Sequence, residues 1–131
     1  MMKTTKMIAL VLLFLMTLTT FVQAQEKLDK LFAETTAEER AQVQTEMMQE
    51  KLSLTGDQKI PVYDINLKYA HMLEDVYKAG GGKLKRLRNM KAVSKEKDGR
   101  LKTVLTENQY ALYEAYKDEM IEKIKERRRE G

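Results

Sequence analysis

Apolar residues recur at helical spacing in four successive stretches between residues 36 and 128, so the chain reads as all-α. The first stretch begins at Thr36, with Glu39 three residues on as a capping box. Ala37, Ala41, Gln44, Met48 and Leu52 trace one face, with Met47 beside them, before Ser53 and Leu54 turn the chain. The second, from Gly56 to about Ala79, sets Ile60, Tyr63, Leu67, Ala70 and Tyr77 on a face widened by Leu73 and Val76. Pro61 falls in its second turn, where the missing N–H would have bonded the Asp57 carbonyl. Interior proline costs about 3 kcal/mol, so an imperfect cap or a bend is expected there. Gly80-Gly81-Gly82 ends the helix and supplies a joint. The third stretch, Lys83 to about Thr103, carries Leu84, Leu87, Met90, Leu101 and Val104 inward, and Gly99 weakens it by roughly 1 kcal/mol relative to alanine. Thr106 caps the fourth, whose stripe is Tyr110, Tyr113, Lys117, Met120, Ile121 and Ile124. Arg127-Arg128-Arg129 closes it, favourably for the helix dipole. The expected plan is two helical hairpins, four main helices in all, joined at a glycine-rich hinge.

Residues 1–24 stand apart from this pattern. Lys3 and Lys6 form a basic start, Met7 to Leu18 an uncharged apolar run, and Val22-Gln23-Ala24 a small-residue cleavage site. The run is short for a bilayer span, which needs about 20 apolar residues. A signal peptide cleaved after Ala24 is therefore expected, with export to the periplasm and membrane contact only before cleavage. Residues 25–35, with Leu28, Leu31 and Phe32, read as a short arm, and residues 36–131 as the domain.

One stretch occurs twice: Leu54-Thr55-Gly56-Asp57-Gln58 and Leu105-Thr106-Glu107-Asn108-Gln109. In each, the threonine hydroxyl can accept from the N–H three residues on. The glutamine can reach back to the threonine's own N–H, so that two orphan donors are satisfied reciprocally. Leu105 and Tyr110 add a hydrophobic staple. Two copies of L-T-x-x-Q, each flanked by helical pattern, resemble the signature of the Spy/CpxP family of small exported helical proteins. The similarity covers about residues 36 to 128, and the stretches around Glu39–Met47, Leu52–Tyr69 and Val104–Tyr113 look like short envelope proteins of Bacteroidetes-type bacteria. The resemblance implies an open, cradle-like antiparallel homodimer with a basic concave face. It also implies the work of an ATP-independent holdase chaperone or envelope-stress modulator. The partners implied are unfolded or partly folded envelope proteins, a second copy of the chain and a sensor kinase. The chain departs from the family in its shorter middle segment, with three glycines, and in Pro61.

Charge sharpens the picture. After cleavage the net charge is +2, yet residues 78–102 alone carry +8 and residues 25–77 carry −5. So one-sided a segment exceeds what solvation of a helix face needs, and it fits attraction to acidic segments, anionic clients or envelope lipids. Lys83, Lys85, Arg86, Arg88, Lys91 and Lys95 are the candidate client-binding residues. Nucleic acid is not expected for an exported chain. The mature methionines and the six tyrosines suit either core or adaptable client contact. With 40 apolar residues among 107, the mature chain is lean for a compact bundle, which favours surface shared with a second copy. Zero cysteines exclude disulfides and thiol chemistry, and two serines without a base in view leave no nucleophile, so neither an enzyme nor a cofactor is expected. His71, Glu74 and Asp75, at i, i+3 and i+4, are the candidate metal set and carry the alternative reading of a metal-responsive sensor or scavenger.

Overall fold

A computed structural model describes Glu26 and residues 29–130 of the chain, so the expected signal peptide lies outside the described residues. The chain divides after Glu34 into two units. In the first, residues 29–34 are helical. The second is all-helical and contains four long helices: α1 (Ala37–Leu52), α2 (Gly56–Lys78), α3 (Lys83–Val104) and α4 (Glu107–Glu130).

Each boundary has a local cause. Thr36 and Glu39 form a complete capping box, Glu39 N–H to Thr36 Oγ1 at 3.1 Å and Thr36 N–H to Glu39 Oε2 at 2.9 Å. Ser53, in the left-handed conformation (φ 53°), ends α1 by donating its N–H to the Gln49 carbonyl. The glycine joint needs its glycines, because Gly80 (φ 74°) and Gly81 (φ 92°) occupy backbone conformations that side-chain-bearing residues rarely adopt. The helix α2 runs through Pro61 without interruption. The proline removes one backbone bond so close to the first turn that the rest of the ladder is untouched.

The packing order is α3–α2–α1–α4. The hairpin of α1 and α2 is the centre, α3 lies along α2, and α4 lies along α1, with little contact between α3 and α4. The second pair of helices thus shares a junction rather than a packed seam. One apolar cluster ties the parts together, built from Met47, Met48 and Leu52 of α1, Leu54, Val62 of α2, Leu101 of α3, Leu105, and Tyr113 and Met120 of α4.

The burial pattern corrects two expected faces. On α2 the buried residues are Val62, Asn66, Tyr69 and Ala70, while Ile60 is 72% exposed. The face is rotated by about one position, because Asn66 is polar and broke the apolar stripe in the sequence. It earns its place by donating to Thr45 Oγ1 at 2.9 Å. On α3 only Val93 and Leu101 are buried, and Leu84, expected inward, is 73% exposed. Lys97 bonds Gln44 Oε1 across to α1 at 2.7 Å, and loss of water around its ammonium lowers its pKa to about 8.

The sequence also concealed Arg40, which is 4% exposed. Its guanidinium donates to the Thr35 carbonyl at 2.8 Å and to Glu74 Oε2 at 3.0 Å, pinning the start of α1 to the end of α2. Glu74 also takes Lys78 at 2.7 Å. The Lys78 hydrogen bond first, and then Arg40, hold the Glu74 carboxyl below the usual carboxylate range. Removing one partner of a buried pair strands the other, so Glu74→Ala should cost about 2 kcal/mol in denaturant unfolding. Because the folded pKa is lowered, that contribution is present above about pH 4.5 and fades as pH falls through the folded value. An unchanged midpoint at neutral pH would contradict the anchoring role.

Candidate functional site

The two L-T-x-x-Q motifs meet. Each leucine, Leu54 and Leu105, is buried in the shared cluster. Thr106 and Gln109 make a complete box: Gln109 N–H to Thr106 Oγ1 at 3.2 Å and Thr106 N–H to Gln109 Oε1 at 2.9 Å. At the first motif, Gln58 Oε1 accepts from Thr55 N–H at 3.0 Å. The hydroxyl half is looser, since the Thr55 carbonyl also takes the Gln58 N–H at 3.1 Å.

Beyond capping, the two glutamines bond each other. Gln58 Nε2 donates to Gln109 Oε1 at 2.8 Å, and Gln109 Nε2 donates to Gln58 Oε1 at 2.9 Å. The remaining donor of Gln58 reaches the Val104 carbonyl at 3.0 Å, and that of Gln109 the Leu52 carbonyl at 3.4 Å. A primary amide has two acceptor and two donor positions, and here all four are used on both side chains. Turning either amide over would set its NH₂ against a threonine N–H, so the network fixes both orientations. The pair joins the C-terminal ends of α1 and α3 to the N-terminal ends of α2 and α4. The sequence showed two separate caps. That their glutamines meet follows only from bringing the junctions together.

The candidate metal residues do not converge. His71 Nε2 faces Glu38 of α1 at 3.2 Å, Glu74 is engaged by Arg40 and Lys78, and Asp75 is exposed. Among the described residues no group of three His, Asp or Glu is placed to hold a metal ion.

The six candidate client-binding residues of α3 separate into two sets. Arg86 is half-buried, with its guanidinium 5.0 Å from the centre of the Tyr77 ring. Lys83, Lys85, Arg88, Lys91 and Lys95 are exposed. Leu84, Arg88, Lys91 and Lys95 fall at i, i+4, i+7 and i+11, one outward line along the helix. This ridge begins at the glycine joint, where Gly82 caps α3 without a side-chain hydrogen bond and the first turn holds no acid. Lys83 and Lys85, in that turn, oppose the helix dipole at about 0.3–1 kcal/mol each, whereas Arg88, Lys91 and Lys95 lie beyond its reach.

The fold and site define a small helical protein organised on paired capping motifs, with one strongly basic outward face. A family model described as a domain of unknown function (DUF4890) matches residues 23–113, more than half of the chain. The chain belongs to that family. No curated protein and no solved structure matches it. The likeness to Spy/CpxP proteins therefore rests on the motifs themselves.

If the threonines act as caps, Thr106→Ala should cost about 1 kcal/mol and Thr106→Ser almost nothing, read from denaturant midpoints. Thr55→Ala should cost less than Thr106→Ala, because the hydroxyl half of that box is already shared. Serine at position 106 proving as damaging as alanine would reject capping.

Proposed function

We propose that this is an exported, non-enzymatic binding protein that holds partly unfolded, acidic protein segments in the manner of a Spy/CpxP-type holdase or envelope-stress modulator. The observation that carries the reading is the α3 ridge: an exposed leucine followed by a line of exposed cations, in a segment far more basic than the rest of the chain. Long-range attraction speeds encounter with an acidic segment, and apolar contact then holds it. Leu84, exposed at the head of the ridge, supplies that second step. The periplasmic location is part of the same proposal and rests on residues 1–24. The metal-sensor alternative gains no support from the geometry, since Glu74 is committed to cations and His71 to Glu38.

Suppression of light scattering by an aggregating acidic client tests the proposal. Arg88→Glu/Lys91→Glu/Lys95→Glu should leave helicity unchanged and slow client association at least about tenfold at low salt, as raising salt does to the wild type. Arg86 is left in place because it packs on Tyr77. Equal suppression by the triple variant would refute a role for the ridge. Suppression that depends on added divalent metal would favour the sensor reading instead.

A further inference from the structure

A groove runs between α1 and α4, on the flank of the packing order opposite to α3. Val43 and Met47 line its base, and the stretch of it between Met47 and Asp118 has a volume of about 440 Å³. Its walls carry seven carboxylates against three cations. Part of that charge is neutralised in place, by Arg127 to Glu46 at 2.8 Å and Lys123 to Glu126 at 3.4 Å. Glu50, Asp118 and Glu119 are exposed along the rim. The chain therefore bears an acidic trough with an apolar base on one flank, and a basic ridge headed by an exposed leucine on the other. The ridge faces outward from α2, and α4 lies beyond α1, so a chain does not fill its own groove.

We propose that the α3 ridge docks in the α1–α4 groove of a second copy of this chain. Leu84 meets the Val43 and Met47 base, and Arg88, Lys91 and Lys95 meet the carboxylate rim. The dimensions agree. At 1.5 Å per residue, the ridge from Leu84 to Lys95 is about 16 Å long, and the rim from Asp118 to Glu130 about 18 Å. Ridge and groove are different surfaces, so the contact closes as a dimer only if both are exchanged, and otherwise extends into a chain of copies. The inference does not depend on client binding, since sedimentation of the protein alone decides it.

Sedimentation analysis of the mature protein at low ionic strength should show association. Raising ionic strength from about 0.1 M to about 1 M shortens the screening length from about 10 Å to about 3 Å and should weaken it at least about tenfold. Two variants make the test specific: Arg88→Glu/Lys91→Glu/Lys95→Glu on the ridge, and Glu50→Lys/Glu119→Lys on the groove. Each alone should sediment as a single chain, and an equal mixture should associate again, because the reversed ridge complements the reversed groove. Retained helicity in both variants excludes unfolding as the cause. The groove variant keeps its ridge, so it should still suppress client aggregation, which separates failure of this inference from failure of the holdase reading. A wild-type protein of single-chain mass at low salt would overturn the inference, as would a mixture that stays dissociated. Binding of the wild type to anionic phospholipid vesicles without self-association would assign the ridge to a lipid surface and overturn it equally.

Discussion

The reciprocal hydrogen bonds between Gln58 and Gln109 are the constraint on which the arrangement of helices depends. Four helix ends converge where these two amides meet, and helix ends are where backbone donors and acceptors lack partners. Each glutamine closes its own cap, binds its counterpart and donates to a carbonyl left over at the end of the helix before the other motif. The leucines of the same motifs fill the cluster beneath. A three-residue signature thus performs three tasks: leucine packs, threonine caps and glutamine cross-links.

With that junction fixed, the remainder can stay open. The helix α3 packs mainly on α2, and α4 mainly on α1, so the two outer helices diverge in charge and use. One presents cations outward, and the other forms a carboxylate-lined groove with α1. A closed four-helix bundle would bury part of both surfaces. The lean apolar content of the chain is consistent with this layout, in which Leu84, Ile60 and Leu112 remain exposed.

Much of this was legible in the sequence, because it rests on local chemistry. The four helix spans, the capping boxes at Thr36 and Thr106, the glycine joint and the all-α class all follow from side chains acting within a few residues of themselves. What depended on tertiary contact was not legible. Arg40 looks like a surface charge until Glu74, 34 residues away, is brought beside it. Asn66 disguises the buried face of α2, and an apolar Leu84 on a helix seems inward until the neighbouring helices prove too few to cover it. The candidate metal residues stay apart for the same reason: spacing along α2 placed His71 and Glu74 together, but α1 supplies each with a different partner.

The central claim is that the two motifs act as one unit through their glutamines, and a double-mutant cycle measures that directly. Gln58→Ala and Gln109→Ala should each cost about 2 kcal/mol in denaturant unfolding, since each strands polar groups of the other. The double variant should cost less than the sum by about 1–3 kcal/mol, because the second substitution removes bonds already lost. A cycle pairing Gln109→Ala with Glu39→Ala, in the separate capping box at Thr36, should be additive and serves as the control. Additivity of the glutamine pair within about 0.5 kcal/mol would show two independent caps and contradict the account.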